Sequence, residues 1–115
     1  MSPDDVIRLR HMTEAAESAL RFCRGRTRAD RDTDDTLRFA LTRAVEIIGE
    51  AATRLSINAR TQAPGIPWPA IVGMRNRLVH AYFDVDSEIL WTTVNERLPS
   101  LLRELNLILS KGQRE

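Results

Sequence analysis

The chain has 115 residues, 43% of them hydrophobic and 29% charged, which matches the size and composition of a single globular domain. The net charge of +1 excludes a protein that attracts nucleic acid through a strong overall positive field. The single cysteine, Cys23, excludes an internal disulfide and a multi-cysteine zinc site, and its apolar position favours a buried thiol. No secretory signal or membrane-length apolar run is present. We therefore expect one cytoplasmic domain over residues 1–115 without a membrane partner.

The first predicted helix covers residues 3 to 23. Ser2 is a favourable N-cap and Pro3 suits the first helical turn. Apolar residues then recur at spacings of three and four, which is typical of a helix with one buried face: Leu9, Met12, Ala16, Ala19 and Cys23. Gly25 is expected to end this helix.

A polar connection is predicted from Arg24 to Asp32. Five basic side chains in and before it form either a local positive patch or an ordinary solvated helix end and loop: Arg21, Arg24, Arg26, Arg28 and Arg31. Asp32 or Thr33 should cap a second helix, the most buried one, with an apolar stripe from Leu37 to Leu55. Gly49 within this helix should allow a neighbouring helix to approach closely.

Two further helices are predicted in the second half of the chain. Four prolines and glycines between residues 61 and 69 interrupt helical structure, and a third helix should open there and run through Arg75 to Val79. Asp86 should cap a fourth helix with a stripe from Trp91 to Ile108, kinked or split at Pro99. Aromatic residues make up only 5% of the chain. The pattern predicts an all-α bundle of four to five helices.

The third helix carries a charged residue in its apolar row. Arg75 lies four residues after Ile71 and four before Val79, so it is expected on the same face. A buried guanidinium requires a partner for its charge. Either a carboxylate on another helix, with Glu46 and Glu50 as candidates, or an anionic ligand could supply it.

Other polar side chains are expected nearby. Asn76 and His80 are four residues apart, and Arg75 and Tyr82 are seven apart, so each pair shares a helical face. A histidine at a helix end can equally be a capping or packing residue, and spacing alone does not decide. The chemistry suits phosphodiester cleavage: a histidine can move a proton at the ribose 2′-hydroxyl or the leaving oxygen, and an arginine can hold the phosphate. Neither role requires a metal or another cofactor.

At these residues the sequence resembles a known family. Residues 75–80 match the Arg-(x)4–6-His signature of HEPN domains, and Tyr82 completes the Arg-x4-His-x-Tyr form of HepT toxins. Residues 46–51, 66–68 and 73–86 are similar to further blocks of the HepT-like family, in the same order. The likeness extends from about residue 2 to Leu105, which is nearly the whole chain.

The resemblance implies a HEPN-type bundle that forms a homodimer, with the two motifs meeting in a cleft at the interface. It implies a metal-independent endoribonuclease acting on RNA. In this assignment Arg75 stabilises the phosphate, His80 is the acid–base residue, and Asn76 positions one of them.

The resemblance also implies a biological setting. HepT proteins are toxins of type VII toxin–antitoxin systems, and their partner is a cognate minimal nucleotidyltransferase. The antitoxin transfers AMP to the motif tyrosine, here Tyr82. The alternative is a helical module that binds a nucleotide or a nucleotidyltransferase without cutting RNA.

Overall fold

A computed structural model describes residues 1–74, 76, 79–81, 84–85 and 87–114, with side chains described for the same residues except 79–81, 84–85 and 112–114. The described part is an all-α bundle with one short two-stranded hairpin. Helix α1 covers Pro3–Cys23, as predicted. The Ser2 hydroxyl caps it by accepting a hydrogen bond from the Asp5 N–H at 3.1 Å, and Gly25 follows it with a φ of 74°.

The predicted connection contains a short helix, α2 (Arg28–Thr33), which the sequence reasoning missed. Its N-cap, Thr27, forms a capping box with Asp30. Helix α3 covers Asp35–Arg54. Its cap is Asp34, whose carboxylate accepts from the Leu37 N–H at 3.0 Å, so the predicted caps Asp32 and Thr33 were wrong by one or two residues.

The most extensive contact between described helices is that of α1 with α3, and the last helix also packs against α1. The predicted stripe of α3 is buried at every position: Leu37, Leu41, Ala44, Ile48, Ala51 and Leu55. Its close packing explains why this helix forms where the periodicity placed it.

The third predicted helix was wrong beyond its first turns. Helices α4 (Ile57–Thr61) and α5 (Trp68–Val72) are both one to two turns long, and Gly73 caps α5. The backbone is still helical at Met74 and Asn76, but Val79–Ala81 forms strand β1. This strand pairs antiparallel with β2 (Asp84–Val85). The backbones of Val79 and Val85 are paired in the ladder, a pairing that helical periodicity does not reveal.

The last part of the chain is nearly continuous helix. Helix α6 (Ser87–Thr92) runs into a π-helical stretch, Thr93–Arg97, and then into α7 (Leu98–Arg114). The Leu98 N–H donates to the Thr93 carbonyl five residues back, immediately before Pro99. The predicted irregularity near Pro99 is therefore confirmed and takes the form of a π-helical stretch. The cap predicted at Asp86 falls on a residue outside those described.

The hydrophobic core is formed by one face of each long helix. All six residues of the predicted fourth stripe are buried: Trp91, Val94, Leu98, Leu101, Leu105 and Ile108. Among the described residues, no helix combines the length and apolar character that crossing a membrane would require.

Candidate functional site

The motif segment joins α5 to the β-hairpin. Asn76 is exposed and helical, and the backbone of His80 lies in β1. Arg75 and Tyr82 fall outside the described residues, as does the side chain of His80. Since residues 79–81 are extended, the predicted sharing of one helical face by Asn76 and His80 was wrong.

His80 occupies an irregular position in the hairpin. Val79 pairs with Val85 and Ala81 pairs with Asp84, so two steps along β1 correspond to one step along β2. His80 is therefore the extra residue of a β-bulge. Bulges are over-represented next to active sites, where they change the direction of a side chain.

Helix α5 is held in place by its first residue. The Trp68 indole N–H donates to the carbonyls of Arg60 at 3.0 Å and Ala63 at 3.1 Å, and the ring is 7% exposed. At the other end, the Gly73 N–H donates to the Pro69 carbonyl at 3.0 Å. The residues before the motif are thereby fixed by hydrogen bonds that do not involve the motif itself.

Gly49 of α3 lies against the C-terminal end of α5. A Cβ atom at this position would lie 3.6 Å from the Ile71 carbonyl oxygen and 3.7 Å from that of Val72. These are ordinary contact distances, so the glycine brings the two backbones close without excluding a methyl group. The predicted close approach at Gly49 is confirmed.

The two carboxylates predicted as partners of Arg75 lie on α3 beside Gly49. Glu46 and Glu50 each approach the same Arg43 guanidinium, at 3.6 Å in both cases. The Glu46 side chain is 26% exposed, whereas those of Glu50 and Arg43 are more than half exposed. Their relation to Arg75 stays a prediction, because Arg75 is outside the described residues.

Most of the basic segment around α2 is neutralised. Arg26 pairs with Asp34 and, at 3.5 Å, with Asp30. Arg28 and Arg31 both pair with Glu88 at the start of α6, the latter at 2.5 Å. The hydrogen bond from Arg31 is the main cause that lowers the pKa of Glu88. These contacts neutralise three of the five arginines of the local positive patch that the sequence allowed.

A cavity of about 330 Å³ was not predicted from the sequence. It separates the proline-rich segment and α5 from the π-helical stretch and α7. Met74, which directly precedes Arg75, is 2% exposed and forms part of its wall. Glu96, Arg97 and Glu104 also line it. The sequence places these three residues in one predicted helix. Only the fold shows that α5 and the proline-rich segment lie opposite them.

Comparison with known proteins identifies the family. The family model for "Ribonuclease HepT-like" matches residues 12–108, which include the motif segment, all of α3 and parts of α1 and α7. The chain belongs to the HepT-like ribonuclease family.

Several curated relatives of this HepT-like chain carry ribonuclease names. A Thermococcus cleftensis protein named "Probable ribonuclease HepT" is 42% identical over 93 residues, 81% of this chain and 84% of the relative. A Caldanaerobacter subterraneus protein named "Putative RNase" is 35% identical, over 90% of this chain and 92% of the relative. A Methanocaldococcus jannaschii protein, also named "Putative RNase", is 40% identical over 63% of this chain and 66% of the relative, just under two thirds of its length. No solved structure matches the chain significantly.

Proposed function

We propose that this protein is a metal-independent endoribonuclease that cleaves RNA with Arg75 and His80. The observation that carries the proposal is the intact Arg-x4-His-x-Tyr motif, residues 75 to 82, in a chain of the HepT-like ribonuclease family. The ribonuclease names of the relatives agree with this activity.

The proposed reaction uses the ribose 2′-hydroxyl as the nucleophile. His80 takes its proton, the 2′-oxygen forms a bond to phosphorus, and the bond from phosphorus to the 5′-oxygen breaks. A proton returned to that oxygen leaves a 5′-hydroxyl and a 2′,3′-cyclic phosphate. Arg75 stabilises the charge that develops on the phosphate oxygens, and Asn76 positions one of these groups.

The described surroundings support this assignment in two ways. The bulge at His80 interrupts the regular ladder at the proposed acid–base residue. The C-terminal end of α5 contacts Gly49, so the segment before Arg75 lies against α3. This helix also carries Glu46 and Glu50. These two carboxylates are proposed as supporting residues that orient the motif arginine by charge.

We further propose that the protein is the toxin of a type VII toxin–antitoxin system and acts as a homodimer. In this proposal the motifs of two copies meet in one cleft. A cognate minimal nucleotidyltransferase transfers AMP to the Tyr82 hydroxyl, next to β1 in the sequence: the deprotonated tyrosine oxygen bonds to the α-phosphorus of ATP, and pyrophosphate leaves. The added phosphate would occupy the anion site of Arg75 and block the cleft.

The test is RNA cleavage by the purified protein in excess chelator. Wild type should cut, whereas Arg75→Ala and His80→Ala should lose at least about a hundredfold in rate, the contribution usual for general acid–base and phosphate-stabilising groups. The chain has two histidines, and the one outside the motif, His11, is exposed on α1. His11→Ala is therefore the matched control. Arg10→Ala, also exposed on α1, is the control for loss of a guanidinium.

The outcomes separate the alternatives. Cleavage by wild type and both controls, but not by the motif variants, supports the nuclease. Absence of cleavage by wild type, from protein whose intact mass shows Tyr82 unmodified, would favour the non-catalytic module that binds a nucleotide or a nucleotidyltransferase.

A further inference from the structure

The cavity that Met74 lines combines an apolar wall with two carboxylates. Its wall contains four side chains that are between 2% and 6% exposed: Ile66, Ile71, Met74 and Leu101. Glu96 and Glu104 lie at its edge, with Arg97 and Ser100 between them in the sequence. A largely apolar pocket of roughly 300 Å³ or more with a few polar groups is characteristic of small-ligand sites.

Glu104 is the best placed of these carboxylates. It is half-buried, and its Oε2 atom would lie 3.6 Å from a Cβ on Gly65, across the cavity from α7. Within the described part of the chain, neither Glu104 nor Glu96 enters an ion pair. A carboxylate that forms no ion pair with the described residues, although Arg97 lines the same cavity, can accept hydrogen bonds from a ligand.

The backbone is irregular at this wall of the cavity. Glu96 and Arg97 belong to the π-helical stretch, which ends where the Leu98 N–H reaches the Thr93 carbonyl. Single π-helical turns within α-helices frequently occur at functional sites. The irregularity and the unpaired carboxylates are independent observations, and both concern the same wall.

We propose that this cavity binds a nucleobase of the RNA next to the scissile phosphate, and that Glu104 selects bases with an exocyclic amino group. The proposal rests on the proposed ribonuclease function. Met74 of the cavity wall directly precedes Arg75 in the chain, so the proposed phosphate-binding residue is its covalent neighbour. The flat base would contact the apolar wall, including the Met74 thioether, which makes favourable contacts with aromatic rings.

The selectivity follows from the hydrogen-bonding groups of the bases. A carboxylate only accepts hydrogen bonds, and it can accept them from the exocyclic amino groups of adenine, cytosine and guanine. Uracil presents carbonyl oxygens in those places, which the carboxylate repels. RNA is commonly recognised in this way, through single-stranded bases whose edges are hydrogen-bonded and whose faces are stacked.

The experiment measures binding without cleavage. Fluorescence anisotropy would follow labelled ten-nucleotide 2′-O-methyl oligomers of adenosine, cytidine or uridine, in which the attacking hydroxyl is blocked. Wild type should bind the adenosine and cytidine oligomers roughly tenfold more tightly than the uridine oligomer, the effect of one charge-assisted hydrogen bond. Glu104→Gln, which can donate to a uracil carbonyl, should weaken binding of the first two and strengthen that of the third.

Glu17→Gln is the matched control, because it removes one exposed carboxylate of α1 outside the cavity and should retain the wild-type preference. Equal binding of all three oligomers by wild type, no binding of any, or an unchanged preference in Glu104→Gln would overturn the subsite. Cleavage of natural RNA is scored separately. Cleavage without base preference rejects only the subsite, whereas the expected preference without cleavage rejects only the proposed nuclease.

Discussion

The Asp5 carboxylate accepts two hydrogen bonds from Ser56, one from its backbone N–H at 3.0 Å and one from its hydroxyl at 2.7 Å. Asp5 is only 3% exposed although it lies in the first turn of α1. The Ser56 hydroxyl in turn accepts from the Ala59 N–H at 3.1 Å and so caps α4. One buried carboxylate thus joins the start of α1 to the turn between α3 and α4.

This contact predicts a loss of stability in acid. Burial acts to raise the pKa of Asp5, but hydrogen bonds from Ser56 and Ser2 outweigh it, and the pKa lies below its ordinary value of 3.8. The unfolded chain therefore binds a proton at a higher pH than the folded chain does. The stabilisation is fully present above the unfolded pKa and is lost as the pH falls through the folded pKa. Urea unfolding midpoints measured between pH 6 and about pH 3 should show this decrease.

Asp5→Asn should lower the free energy of unfolding at neutral pH by about 1–3 kcal/mol, because the amide presents a donor to the Ser56 donors. It should also remove part of the acid dependence seen in wild type. Asp4→Asn, at the exposed neighbouring position, is the control and should do neither. An Asp5→Asn variant as stable as wild type at pH 7 would contradict the role given to this carboxylate.

The size of the side chain introduced at Gly49 should decide whether the substitution stabilises or destabilises the protein. Gly49→Ala adds a methyl group at ordinary contact distance from the Ile71 and Val72 carbonyls, and alanine favours the helix by about 1 kcal/mol. This variant should be as stable as wild type or slightly more stable in urea. Gly49→Leu should displace α5 and the segment before Arg75, and thereby reduce both stability and RNA cleavage. A Gly49→Leu variant with wild-type cleavage would separate the α5 contact from the site.

Cys23 should be unreactive until the protein unfolds. The residue is 7% exposed, and burial raises the pKa of its thiol against the smaller lowering influences of Asn95 and Arg26. The neutral thiol is a poor nucleophile. A disulfide reagent such as Ellman's reagent should therefore react at least about a hundredfold more slowly in buffer than in denaturing urea. Rapid reaction of the folded protein would show that the α1 end opens readily.

Local patterns in the sequence were sufficient for the long helices. The stripes of α1 and α3, and the one from Trp91 to Ile108, repeat over several turns, and each buries the residues that the period selects. The row through Ile71, Arg75 and Val79 spans only two turns. There Gly73 ends α5, and the pairing of Val79 with Val85 forms a strand instead. A short row is too weak to prevail over a glycine cap and a nearby partner strand.

The features that the sequence did not reveal depend on contacts between distant residues. Glu88 neutralises Arg28 and Arg31 from about 60 positions away, and Asp5 meets Ser56 over a separation of 51. No periodicity connects such pairs. The motif residues themselves were selected from the order of Arg75, His80 and Tyr82 in the chain, whereas the cavity with Glu104 depends on the fold, which places α5 and α7 on opposite sides of it.

The proposed shared cleft predicts a dimer in solution. Light scattering on the purified protein should give twice the chain mass of 13.1 kDa at micromolar concentration. Mixing inactive Arg75→Ala chains with inactive His80→Ala chains should restore part of the cleavage if each cleft draws residues from both copies. A clean monomer that cuts RNA would reject the shared cleft while leaving the motif assignment intact.

If the antitoxin acts by modifying Tyr82, substitution of this tyrosine should preserve RNA cleavage and abolish neutralisation. Tyr82→Phe retains the ring but lacks the oxygen that would accept AMP, so it should cut RNA at close to the wild-type rate. When it is expressed together with the cognate nucleotidyltransferase, it should still stop growth, whereas wild type should be neutralised and gain the mass of one or more AMP groups. His80→Ala carrying the intact tyrosine is the control, because it should be modified without being toxic. Neutralisation of Tyr82→Phe would mean that the antitoxin acts at another residue or by binding alone.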